Sequence, residues 1–172
     1  MKNIIKNINL SMRKKEKTFC ITGAVTQKKC ISLINYLARY YCRFKKVCVL
    51  DLDIFKNYDG YEDVLEIKKV EKIDMNITLE NLKVIAETGF LKKYIESLTM
   101  SFDILLVNVP PITRCAYSEY VASILDKTVL IEMDTSVDEC LIDEAIETLE
   151  DNNISYITRT YLNSYQKEIN NR

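Results

Sequence analysis

The chain has 172 residues, 48% of them apolar and 28% charged, and a net charge of −1. That balance reads as one globular domain spanning 1–172, long enough to bury roughly 70% of its unfolded surface without disulfides or a structural metal. It excludes a global basic field for nucleic acid, and no apolar run approaches the roughly 18–20 residues of a membrane span.

At the start, Asn3 to Leu10 places Ile4, Ile5 and Ile8 on one face of a short amphipathic helix. The basic run Arg13-Lys14-Lys15-Glu16-Lys17 follows, either a solvated turn or a contact for an acidic partner. A strand is expected at Thr18 to Thr22, closed by Gly23, and a helix from about Lys28 to Arg43. Val47 to Leu50 is apolar throughout, as in a strand buried on both faces, and ends in Asp51-Leu52-Asp53. The polar stretch from Lys56 to Asn81 gives the weakest pattern, with a short helix expected near Tyr61 to Val70. Leu82 to Ile85 reads as a strand, Phe90 to Leu98 as a helix and Ile104 to Val107 as another apolar strand, stopped by Pro110-Pro111. A helix over Ala116 to Leu125 and a strand over Thr128 to Ile131 come next. Ser136-Val137-Asp138-Glu139 has the spacing of a capping box opening a helix to Leu149, and Ile154 to Leu162 is a final strand.

Alternating strands and helices, with most strands apolar throughout, predict an α/β fold. The expected architecture is doubly wound, a mainly parallel sheet with helices on both faces. Ligands of such sheets bind beyond the carboxyl ends of the strands. The residues to weigh are those after Thr22, Leu50, Val107, Ile131 and Leu162.

After the first strand comes Gly23-Ala24-Val25-Thr26-Gln27-Lys28-Lys29-Cys30. A phosphate-binding loop at this place reads G-x-x-x-x-G-K followed by Ser or Thr. Gly23 and Lys29 match; Lys28 stands where the second glycine belongs, and Cys30 where the hydroxyl belongs. The glycine lets backbone amides close around phosphate. The hydroxyl is a hard oxygen ligand for magnesium, and a thiol is a poor one. The motif is not matched in full, and alone the segment reads more readily as a turn into an amphipathic helix with surface lysines. Asp51 and Asp53 are two carboxylates at a strand end, either solvated or paired with a cation. Asn108 stands where an NTPase would carry an Asp that orients magnesium or its water. The six cysteines form no C-x-x-C pair and the chain has no histidine, which weighs against zinc and against Ser–His or Cys–His nucleophiles. Cys20 and Cys48 read as free buried thiols of a reducing compartment.

Together these segments resemble the cytoplasmic domain of the bacterial tyrosine kinases of capsule and exopolysaccharide synthesis. That family lies within a wider P-loop class that includes septum-site and chromosome-partitioning ATPases. The resemblance runs from about Asn3 to Asn163. It is carried by the order of the phosphate-loop segment, Val49-Leu50-Asp51-Leu52-Asp53, Phe102-Asp103 through Asn108-Val109-Pro110-Pro111, and Tyr161-Leu162-Asn163. The resemblance implies that Gly23, Lys28, Lys29 and Cys30 surround the phosphates of ATP or ADP, with Lys29 neutralising their charge. Asp51, Asp53 and Asn108 would face magnesium, with the two acids near the attacking hydroxyl; Asn163 would approach the adenine. The protein would be cytoplasmic and recruited to the inner face of the membrane by a membrane-bound polysaccharide co-polymerase or adaptor, with homo-oligomers possible and no nucleic acid expected.

The departures matter as much. The second loop glycine, the magnesium hydroxyl and the magnesium-side Asp are replaced, Phe55 stands for the arginine of D-x-D-x-R, and no C-terminal tyrosine cluster follows. Loss of one strong electrostatic contact costs about 2.7–4 kcal/mol of transition-state stabilisation. Two such losses point to a catalytically impaired regulatory or partner-binding subunit. An active kinase or ATPase with an atypical loop, and a spatial adaptor of the partitioning or pilus-localisation type, are the alternatives.

Overall fold

Strands that are apolar on both faces need neighbours on both sides and helices above and below. A computed structural model of the chain describes residues 2–24, 28–53, 70–74, 84–85, 87–133 and 139–161. Along the chain run α1 (Lys2–Arg13), β1 (Thr18–Gly23), α2 (Lys28–Tyr41), β2 (Val47–Asp51), β3 (Val70–Asp74), α3 (Phe90–Ser101) and β4 (Ile104–Asn108). A 3-10 turn (Ile112–Arg114), α4 (Ala116–Ser123), β5 (Lys127–Met133), α5 (Glu139–Asp151) and β6 (Tyr156–Tyr161) complete it. The six strands form one sheet in the order β3-β2-β4-β1-β5-β6, with every pairing parallel.

Alternation along each central strand divides the core into two layers. Phe19, Ile21, Val47, Val49, Ile104, Leu106, Val129 and Ile131 pack under α1 and α2. Cys20, Cys48, Leu50, Leu105, Val107 and Leu130 face the opposite way, under α3, α4 and α5. The fold is therefore doubly wound, as expected. Helix α1 is held by Ile4 and Ile8, one turn apart and essentially fully buried, each burial contributing about 1.5–3 kcal/mol. The Tyr41 hydroxyl on α2 adds a hydrogen bond to Asn9 Oδ1 at 3.1 Å. At the amino edge of the sheet, Asp126 accepts from the Lys17 and Thr18 amides and from Thr18 Oγ1, at 2.7, 2.9 and 2.9 Å. Asp103, part of the Phe102-Asp103 pair, accepts from the Lys46 amide at 2.8 Å and so ties the starts of β2 and β4 together.

One element differs from expectation. The strand beside β2 is Val70–Asp74, not Leu82 to Ile85. Val84 and Ile85 are helical, and Val84 O accepts from the Thr88 amide at 3.0 Å. A short apolar run does not separate a strand from a helical turn. An edge strand also lacks the doubly buried signature: Glu71 is exposed, and Val70 and Ile73 are only half-buried. The helix expected near Tyr61 to Val70 falls outside the described residues except at Val70, which begins β3. The capping box expected at Ser136 to Glu139 also lies outside them, apart from Glu139, the first residue of α5.

Both α1 and α5 end in a left-handed residue. At the end of α5, Asn153 has φ 54° and the Ile154 amide returns to Leu149 O at 2.8 Å. At the end of α1, Lys15 has φ 71°, its amide returns to Met12 O at 3.0 Å, and the Glu16 amide returns to Ser11 O at 3.2 Å. This is the Schellman pattern, whose left-handed position favours glycine or asparagine over a branching Cβ. Lys15→Gly is expected to stabilise the protein by about 0.5–1 kcal/mol, read as a higher urea midpoint with an unchanged slope.

Candidate functional site

The carboxyl ends of β1, β2 and β4 lie side by side, because Asp51 pairs with Asn108 and Asn108 with Ile21. Gly23 is the last residue of β1, and α2 opens at Lys28, five positions on. The first turn of α2 holds no acidic residue. The positive end of its dipole therefore meets no carboxylate from within that turn, a setting that favours an anion, and the Asp53 carboxylate lies near its Cys30. Residues 25–27 and the side chains of Lys28 and Lys29 lie outside the described structure, as does Asn163. Their expected roles remain sequence expectations.

The three polar residues at the ends of β2 and β4 are brought together. Asp51, Asp53 and Asn108 are 3%, 1% and 2% exposed. Asn108 Nδ2 donates to Asp51 Oδ1 at 3.0 Å, and the Asp53 amide donates to the same oxygen at 3.2 Å. The Leu52 amide donates to Asn108 O at 2.9 Å, extending the β2–β4 ladder past the strand. The segment Asp51-Leu52-Asp53 is thus fixed by its own backbone, by its neighbouring strand and by the Asn108 side chain.

Cys30, in the first turn of α2, is fully buried. Burial pushes its thiol well above the usual range, and the nearby Cys20 thiol and Asp53 carboxylate push the same way. The residue at the position of the expected magnesium hydroxyl is therefore a buried thiol whose surroundings favour the protonated form. Burial also raises Cys20, to about 12 from 9.0. All six cysteines are free.

Three hydroxyls organise the site although no sequence pattern marks them. Thr22 Oγ1 and Ser118 Oγ both donate to Pro110 O, at 2.8 and 2.9 Å. Thr113 Oγ1 donates to Ala24 O at 2.7 Å. The Pro110-Pro111 segment is in this way tied to the end of β1 and to α4. The only sequence hint is that Thr22 adjoins Gly23 and Thr113 follows the proline pair by two positions; Ser118 lies seven positions beyond it.

The donor set does not suit a divalent cation held in the ordinary way. Magnesium prefers hard oxygens; here a buried thiol stands where the resemblance implies a hydroxyl, and an amide N–H, itself a donor, faces the Asp51 carboxylate. Among the described residues no group of three or more His, Cys, Asp or Glu side chains is placed to hold a metal.

No family model matches the sequence, and no curated protein matches it. Solved structures do. The kinase domain of the Escherichia coli tyrosine kinase ETK aligns with a TM-score of 0.69 at 14% identity, over 90% of this chain and 71% of that one. The VpsO kinase domain aligns at 0.69 and 13%, over 88% of this chain and 86% of that one. The MinC:MinD cell division complex of Aquifex aeolicus aligns at 0.66 and 16%, over 90% of this chain and 72% of that one. The chain has the fold of the bacterial tyrosine kinase domains and the MinD-type proteins. That agrees with the resemblance carried by the sequence motifs.

The buried thiols carry a pH signature. In the unfolded chain they ionise near 9.0, whereas folded Cys20 waits until about 12. Their contribution is therefore complete below pH 9 and is lost as pH rises toward the folded value. Each such thiol costs about 1.4 kcal/mol per pH unit across that window. Urea midpoints are expected to be level from neutral pH to about 8.5 and to fall above 9, with a shallower fall in Cys20→Ala.

Proposed function

We propose that this domain is a catalytically impaired relative of the bacterial tyrosine kinases, acting as a regulatory or partner-binding subunit in capsule or exopolysaccharide assembly. The observation that carries the reading is the hydrogen bond from Asn108 Nδ2 to Asp51 Oδ1. An active site of this kind works by electrostatic stabilisation and positioning, and here the acid at the end of β2 is engaged by an amide. The protonated Cys30 thiol at the hydroxyl position supports the same reading. The start of α2, whose first turn carries no acid, favours retention of weak ATP or ADP binding, with Gly23, Lys28 and Lys29 around the phosphates. Asp51 and Asp53 then act in shaping the site, and Asn163 near the adenine.

The partner in this reading is a protein, a membrane-bound polysaccharide co-polymerase or adaptor that recruits the domain to the inner face of the membrane. Structural relatives include a MinC:MinD complex and the chimerical protein CapA2B2. No helix among the described residues is long and apolar enough to cross a membrane.

Circular dichroism melts with ATP, with and without magnesium, and a phosphate-release assay test the proposal; the chain has no tryptophan to report its own unfolding. Millimolar ATP is expected to raise the midpoint by about 2–4 °C. The rise should be the same without magnesium and absent in Lys29→Ala, and no phosphate should be released. A magnesium-dependent rise accompanied by phosphate release would instead establish an active kinase or ATPase built on Asp51 and Asp53.

A further inference from the structure

Asn108 is held in one orientation at a cost. Its Nδ2 donates to Asp51 Oδ1 at 3.0 Å, while its Oδ1 is buried and accepts no hydrogen bond from any described residue. The reversed amide would set oxygen against oxygen at the same separation, so the donor has to face the carboxylate. A buried acceptor left without a partner is expensive. The fold tolerates that loss and keeps the amide proton on Asp51.

The same carboxylate oxygen also receives the Asp53 amide at 3.2 Å. A carboxylate oxygen has two in-plane lone pairs, and on Asp51 Oδ1 both are occupied by N–H donors. A cation approaching that oxygen would have to displace one of them. Displacing the Asp53 amide means unfolding the turn at the end of β2, and displacing Asn108 means moving a side chain that is 2% exposed.

We propose that Asn108 is a positioning residue that takes the place of a divalent cation: its amide holds Asp51 so that the strand-end acids are stable without metal. The inference rests on the reading of the site given above. Its test contains no nucleotide, so a protein that fails to bind ATP still gives a readable result here.

The test is a set of melts in EDTA and in millimolar Mg²⁺, followed by circular dichroism. The wild-type midpoint should move by less than about 1 °C between the two buffers. Asn108→Asp places a carboxylate against Asp51 and should lower the midpoint in EDTA by at least about 4 °C, with most of the loss recovered in Mg²⁺. Asn108→Ala removes the donor without adding charge; it should also melt lower, with no recovery. The difference between these two variants separates replacement of a cation from simple packing. Equal melting of Asn108→Asp in both buffers would overturn the proposal, as would a wild-type Mg²⁺ shift that Asp51→Asn abolishes. Should Asn108→Asp fail to fold in either buffer, Mn²⁺ binding to the wild-type protein by electron paramagnetic resonance decides. Mn²⁺ that is absent, or retained in Asp51→Asn, supports the proposal; Mn²⁺ lost in Asp51→Asn overturns it.

Discussion

Burial of both faces of the sheet is the constraint from which the rest follows. With Phe19, Ile21, Leu106 and Val129 under one layer of helices and Cys20, Leu105, Val107 and Leu130 under the other, the central strands have no wet face. Polar side chains can then gather only at the strand ends, where loops bring in backbone donors and hydroxyls. At the amino edge that need is met by Asp126, which satisfies two amides and a hydroxyl at the start of β1. At the carboxyl edge it is met by Asn108, the Asp53 amide and the hydroxyls on Pro110. The amino edge is a closed structural joint. The carboxyl edge holds two buried acids and the start of α2, whose first turn carries no acid, which is why the functional reading belongs there.

The legible parts of the sequence were those whose burial leaves a periodic trace. β1, β2, β4 and β5 announce themselves as unbroken apolar runs, and α2 through Leu33, Ile34, Leu37 and Tyr41 at helical spacing. β3 did not, because an edge strand is paired on one side and mixes Glu71 and Lys72 with Val70 and Ile73. Leu82-Lys83-Val84-Ile85 imitated a strand because three apolar residues in four look the same in either periodicity, although Val84 is 57% exposed. At the site, Asp51, Asp53 and Asn108 were recognisable as strand-end residues. Their contact was not, because it depends on β4 inserting between β2 and β1, a choice of strand order that no local pattern encodes. Thr22, Thr113 and Ser118 escaped notice for a related reason: a hydroxyl that donates to a distant carbonyl looks like any other hydroxyl in a linear reading.

The replacements at the site are chemically consistent with one another. In the proposed reading, Cys30 stands where the resemblance expects a hydroxyl, and burial raises its thiol's pKa; Asn108 stands where it expects an acid, and donates to Asp51. Each change alone could be read as tolerance. In the proposed reading both bear on the same function, the holding of a hard cation, while the sheet, the helix start and the acid pair are in place.

The place of β1 in the sheet has a consequence for how the chain reaches this structure. β1 lies between β4 and β5, and its first residue, Thr18, is joined to Asp126 across 108 positions of sequence. Neither of its neighbours exists when it leaves the ribosome. The first strand to be made must wait, apolar on both sides, while α1 and α2 can shield only one of them. Such long-range pairing slows folding and leaves hydrophobic surface open in the meantime. Nascent-chain handling of residues 18–23 is therefore as much a part of this domain's physics as the site that β1 ends by building.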